Sequence, residues 1–184
     1  MKMSFRWYGD NDPVTLQYIS QIPAIESIVS AVYSVAPGEV WPEEAILDIK
    51  NKAAAHGLKF DVVESVPVHE DIKLGKPSRD KYIEVYCENI RRLGKAGVKV
   101  ICYNFMPVFD WLRSSLDYEN KDGSTSLIYR DSDVLAMDPR SGDLSLPGWD
   151  SSYTQDEVRE LIRAYGEIGE KGLWENIEYF LKCV

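Results

Sequence analysis

His69 is one of only two histidines in the 184 residues and stands in the run Val66-Pro67-Val68-His69-Glu70-Asp71, with two carboxylates directly after it. An imidazole in that setting could bind a metal, move a proton or hydrogen-bond a substrate, and it could also be an ordinary surface-loop histidine. Glu64 is flanked by Val62, Val63 and Val66. A carboxylate in an apolar run is costly to bury unless it is paired or opens into a polar site, which favours a functional role for it. Asn104 follows Val100-Ile101-Cys102-Tyr103 and offers an amide suited to hydroxyl recognition, although Asn also commonly ends a strand. Trp7, Phe105, Phe109 and Trp111 are read as pocket wall or core. His56, just before Gly57, suits the last turn of a helix, where the dipole favours it.

Other chemistries lack their usual signatures. The chain has no GxGxxG after a strand, no GxxxxGK[ST], no GxSxG, no HExxH and no paired CxxC, which removes the usual marks of nucleotide binding, serine hydrolysis and a zinc ribbon. With two histidines, any metal site would depend on carboxylates. A net charge of -9 argues against a nucleic-acid surface, which needs clustered Lys and Arg. No apolar run approaches the roughly 18 residues needed to span a bilayer, and the N-terminus MKMSFRWYGD has no signal-peptide pattern, so a cytoplasmic protein is expected. Three cysteines, Cys87, Cys102 and Cys183, suggest buried reduced thiols and no disulfide framework.

These side chains need elements to position them, and short apolar runs alternate with longer helical ones. Met3 to Tyr8 reads as a strand, followed by a helix from Val14 to Gln21 with Asp12 as its N-cap and Pro13 in its first turn. Ile28 to Tyr33 is the second strand, and a helix from Pro42 to Ala55 carries Glu43 and Glu44 in its first turn and Gly57 after its end. Phe60 to Val66 is the third strand, a helix runs from about Ser78 to Ala96, and Val98 to Tyr103 is the fourth strand. Helices leading into β-branched runs imply parallel strands joined by right-handed crossovers. Ligands then bind at the carboxyl ends of the strands, near Arg6, Trp7 and Tyr8, Ser30, Glu64, Ser65 and His69, and Asn104, Asp110, Trp111 and Arg113.

Turn dipeptides at Asp122-Gly123, Asp138-Pro139, Ser141-Gly142 and Pro147-Gly148 make residues from about 105 to 150 a long βα loop. Thr154 to Glu157 then resembles a capping box, and a last helix covers Leu173 to Leu181. The expected fold class is α/β: a single domain over 1-184, forming the first four βα units, or half, of a TIM-type (β/α) barrel, which when complete needs roughly 250 residues. Open first and fourth strands would favour a homo-oligomer.

Several segments resemble the mannonate dehydratases: Phe5-Arg6-Trp7-Tyr8-Gly9, Glu64-Ser65-Val66-Pro67-Val68-His69, Tyr82-Ile83-Glu84 and Val100-Ile101-Cys102-Tyr103-Asn104-Phe105. Collinear matches continue at Gln21-Ile22-Pro23, Gly38-Glu39-Val40-Trp41, Arg91-Arg92-Leu93-Gly94-Lys95, Leu146-Pro147-Gly148-Trp149 and Trp174-Glu175-Asn176. The resemblance implies a xylose isomerase-like barrel that dehydrates D-mannonate to 2-dehydro-3-deoxy-D-gluconate in hexuronate catabolism. It also implies Mn²⁺ or Fe²⁺ as a Lewis acid. The family's metal ligands and acid/base residues lie in a second half of the barrel, beyond residue 184, so no catalytic or metal residue is expected here. Trp7, Glu64, Ser65, His69 and Asn104 are expected to form half of the pocket for a small sugar acid. The segment between Arg130 and Leu146 is also shorter than the family's usual loop. Two other readings compete: an isomerase or epimerase of the same barrel superfamily, and a half barrel that dimerises and binds a sugar acid without catalysis.

Overall fold

A computed structural model describes residues 2-106, 113-136 and 154-184. The chain divides into two compact units, one of residues 1-105 with 174-184 and one of residues 106-173. In the first unit, β1 (Met3–Arg6), β2 (Ile25–Ser30), β3 (Lys59–Val63) and β4 (Val100–Ile101) form one sheet in the order β1-β2-β3-β4. Each neighbouring pair is parallel. The fold is therefore α/β with a parallel sheet, as expected, and among the described residues the strands do not close into a barrel.

The crossovers carry α1 (Leu16–Ser20), α2 (Glu43–Ala55), the short α3 (Glu70–Lys73) and α4 (Arg79–Ala96). Apolar positions on α4 recur at helical spacing, and Ile83, Tyr86, Leu93 and Ala96 are buried. Gly97 ends α4 at φ 90, a conformation that glycine adopts without steric cost. Ile28 and Val63 from the sheet, Ile19 from α1, Ile46 and Ala53 from α2 and Leu93 from α4 meet in one core with almost no solvent exposure. Phe180 completes it from the end of α6 (Gln155–Cys183), a helix interrupted at Gly169 by φ 62 and ψ 179. Asn176, one turn before, donates to the Lys73 carbonyl at 2.9 Å, and Arg79 stacks over the Tyr179 ring at 3.7 Å.

The strands end earlier than the apolar runs suggest, and β2 keeps the expected length but lies three residues nearer the N-terminus, at Ile25–Ser30 instead of Ile28 to Tyr33. Ala31, Val32, Val66 and Val68 are buried in the core although they lie past the ends of β2 and β3. Their apolar character reflects burial, and not membership of the sheet. The first helix starts later than expected, because Asp12 serves a turn. Its carboxylate accepts from the Tyr8 and Val14 amides at 2.7 and 2.8 Å, and Thr15 becomes the N-cap of α1. The α3 turn has no apolar period long enough to announce it.

The second unit holds an antiparallel hairpin, β5 (Ser115–Glu119) with β6 (Thr125–Ile128), and the short α5 (Asp131–Ala136). The segment read as a long βα loop thus carries elements of its own around the Asp122-Gly123 turn. The other three turn dipeptides and most of the Arg130 to Leu146 segment lie outside the described residues. The capping box is formed: Thr154 Oγ1 accepts from the Glu157 amide at 3.3 Å, and the Glu157 carboxylate accepts from the Thr154 amide at 2.7 Å.

The cysteines are free thiols, but Cys87 and Cys102 are only half-buried and Cys183 is exposed, which corrects the expectation of burial for all three. Cys183 is the last residue of α6, where the chain leaves the core.

Asn89 is a buried polar residue in α4 that ties down the segment before α2. Its amide oxygen accepts from the Trp41 N–H at 2.8 Å, and its Nδ2 donates to the Glu39 carbonyl at 3.1 Å. Asn89→Ala leaves both backbone groups without their partner and is expected to destabilise the chain by about 2–3 kcal/mol, less a few tenths for better helix propensity. Urea unfolding measures this. A loss under about 1 kcal/mol would mean that water replaces the side chain there.

Candidate functional site

Parallel pairing brings the carboxyl ends of all four strands to one rim. Register places Arg6 beside Val29, Val29 beside Val62 and Val62 beside Val100, so β1 and β3 are separated by β2. At the usual strand spacing that gap is about 10 Å, which a long side chain can bridge. Arg6 does so: its Nη1 meets the Glu64 carboxylate at 2.5 Å. The backbone beneath is fixed by bonds that extend the ladder, Trp7 N to Val29 O at 2.9 Å, Glu64 N to Ser30 O at 3.1 Å and Cys102 N to Val63 O at 2.9 Å. Ser30 is fully buried and its hydroxyl donates to the Trp7 carbonyl at 2.8 Å.

Arg6 also lies over the Tyr8 ring at 4.8 Å, and the Tyr8 and Tyr33 rings are 6.3 Å apart. Burial works against the Arg6 cation, but a hydrogen bond with Tyr33 and the charges of Tyr33 and Glu64 outweigh it and raise its pKa above the ordinary value. Arg6 is a fixed cation at any working pH. On the other side of Glu64, Asn104 Nδ2 donates to the Ser65 hydroxyl at 3.2 Å. The rim therefore offers a guanidinium, a carboxylate, a hydroxyl and an amide within one sheet edge, bordered by two exposed tyrosine rings. The chemistry of such a set suits a small polyhydroxylated anion, since a cation can meet charge, a carboxylate and an amide can meet hydroxyls, and rings can meet C–H faces.

Of the residues singled out from the sequence, Glu64, Ser65 and Asn104 lie at this rim. Trp7 is at the same strand end, with its side chain buried in the core. There it backs a groove of about 270 Å³ that Tyr8, Tyr33, Asp10 and Lys52 also line. Glu64 lies just past β3, not within it, and half-exposed rather than enclosed by its valine neighbours. Arg6 and Tyr33 are the additions. Arg6 was legible only as one of several strand-end residues, and its pairing with Glu64 depends on register.

His69 has a different employment. Its Nδ1 accepts from the Asp71 amide at 3.1 Å as the N-cap of α3, and its ring stacks on Tyr82 at 3.6 Å with 10° between planes. Gly38 lies against the edge of this stack: a Cβ there would come within 2.7 Å of the imidazole and 2.8 Å of the Tyr82 ring. His56 holds the end of α2 as expected, with Nδ1 3.0 Å from the Lys52 carbonyl. Phe109, Asp110 and Trp111 lie outside the described residues. Among the described residues no group of three or more His, Cys, Asp or Glu side chains could hold a metal ion. The divalent ion implied by the resemblance does not fit these residues and would need ligands from outside them.

Over residues 1–184 the sequence matches the family model described as D-mannonate dehydratase (UxuA). The chain belongs to the mannonate dehydratase family. It is 57% identical over 184 residues to a mannonate dehydratase of Streptococcus uberis, covering 100% of this chain and 53% of that protein. It is 52% identical to mannonate dehydratase 2 of Halalkalibacterium halodurans, with the same coverage of both chains. The crystal structure of mannonate dehydratase from Streptococcus suis serotype 2 superposes with a TM-score of 0.87 at 50% identity, over 100% of this chain and 49% of that one. The chain spans about half the length of the curated relatives it matches. Among the described residues no helix is long and apolar enough to cross a membrane.

The His69 cap has a pH signature. Burial lowers its pKa below 6.5, against the opposing pull of Asp71 and Glu70. The unfolded chain therefore takes up this proton first as the pH falls. The stability His69 contributes is complete above 6.5 and is lost as the pH falls through its lower folded value. An NMR titration is expected to give His69 a midpoint under 6.5, and His69→Asn, which can still cap without titrating, should flatten the stability profile just below that pH. A midpoint at or above 6.5 would contradict the buried, neutral cap.

Proposed function

We propose that this chain supplies the substrate-binding rim of a hydro-lyase that converts D-mannonate to 2-dehydro-3-deoxy-D-gluconate. The observation that carries the reading is the convergence of Arg6 with Glu64, and of Ser65 with Asn104, at the carboxyl ends of parallel strands in a chain of this family. The reaction removes the proton on the carbon beside the carboxylate and expels the neighbouring hydroxyl as water, and the enol so formed becomes the ketone. A rim that fixes the carboxylate and the hydroxyls holds the substrate so that the reacting C–H and C–OH are presented to groups elsewhere.

Trp7, Glu64, Ser65, His69 and Asn104 belong to this reading in distinct roles. Glu64, Ser65 and Asn104 meet substrate oxygens, Trp7 backs the rim, and His69 keeps the α3 turn and the chain after β3 in place. Mn²⁺ or Fe²⁺ is part of the same proposal, with ligands outside the described residues, and so are the half-barrel architecture, a place in hexuronate catabolism in the cytoplasm and a homo-oligomeric state. The open outer edges of β1 and β4 among the described residues favour association.

The test is a chimera in which residues 1-184 replace the matching 49% of the Streptococcus suis chain. The chimera is expected to form the 2-dehydro-3-deoxy acid from D-mannonate, and Asn104→Ala in it should lower kcat/KM by about three- to tenfold, the worth of one hydrogen bond. A folded chimera without turnover would refute the reading.

A further inference from the structure

The Arg6 guanidinium is incompletely used by the protein itself. It carries five N–H donors in a planar fork. Glu64 meets Nη1, Tyr33 is a second partner, and Nε is buried with no hydrogen-bond partner. Buried donors are almost always satisfied, so an orphan in a cluster at the ligand-binding rim points to an acceptor that arrives with a ligand. A carboxylate matches the fork with two parallel N–H···O bonds, a geometry open to Arg and closed to Lys.

The surroundings select the same ligand. Arg6 Nη1 and the Glu64 carboxylate are in contact, and Glu64 would repel an anion that lacked the cation between them. The Tyr8 and Tyr33 rings, 6.3 Å apart and largely exposed, border the guanidinium and offer apolar faces to a carbon chain. We propose that Arg6 anchors the carboxylate of the sugar acid and is the residue that makes this rim select an acid over its neutral analogue. This rests on the sugar-acid reading above and deepens it. Glu64 orients the Arg6 fork and accepts from a substrate hydroxyl, so anion and polyol ends are read by adjacent side chains.

The experiment compares D-mannonate with D-mannonamide, which has the same shape and no charge, as ligands of the purified chain, with dissociation constants from NMR titration of the wild type, Arg6→Gln and Arg6→Lys. The wild type should prefer the acid by about ten- to hundredfold, the scale of a charge-assisted pair. Arg6→Gln should bring the ratio close to one, and Arg6→Lys, which keeps the charge without the fork, should fall between. A wild-type ratio near one, or a ratio that survives in both variants, would overturn the role of Arg6 while leaving the sugar-acid reading intact. If Arg6→Gln does not fold, Arg6→Lys decides by the same ratio. A wild-type chain that binds neither ligand would overturn this assignment, while turnover by the chimera still decides the sugar-acid reading on which it rests.

Discussion

The parallel pairing of β2 with both β1 and β3 is the constraint on which the first unit depends. Parallel strands cannot be joined by tight turns, so each return requires a crossover, and the crossovers become the helices that cover the sheet. The same pairing puts every strand's carboxyl end on one side. Residues as far apart in the chain as Arg6, Glu64 and Asn104 are neighbours for that reason and no other. β2 is the pivot: Ile28 lies beside Phe5 and Phe60, and all three contribute to the core.

Around this pivot the polar groups at the rim are held by bonds that differ in kind. The backbone bonds from Trp7, Glu64 and Cys102 continue the ladder beyond the strands proper and fix where the side chains start. The ion pair between Arg6 and Glu64 is partly exposed, and such pairs contribute only about 0–1 kcal/mol. Its value lies in orientation. A guanidinium held at one end presents its remaining donors in a defined plane, which is what recognition of a planar anion requires. Stability comes instead from apolar burial in the core and from buried polar ties such as Asn89 to Trp41 and Glu39.

His69 shows how one sequence context supports two readings. A histidine beyond a strand end with two carboxylates after it has the ingredients of a catalytic or metal-binding site. The same ingredients make a helix N-cap, because Glu70 and Asp71 in the first turn of α3 suit the positive end of its dipole. The stack on Tyr82, thirteen positions along the chain, and the approach of Gly38 decide between them. Neither contact can be read from the residues around His69.

The sequence by itself determined the alternation of strands and helices, the α/β class, the ends of α2 and α4 and the capping box at Thr154, because local periodicity and capping chemistry act within a few residues. Its collinear segments also carried the resemblance to the mannonate dehydratases that the family match over residues 1–184 bears out. Where each strand stops was not legible, since Val66 and Val68 are as apolar in the core outside β3 as they would be within it. The tertiary structure alone decided that Arg6 meets Glu64 across β2, that Asn104 meets Ser65, and that His69 stacks on Tyr82 beside Gly38. Those pairings are set by strand register and crossover geometry, which join positions 13 to 58 residues apart and leave no trace in local spacing.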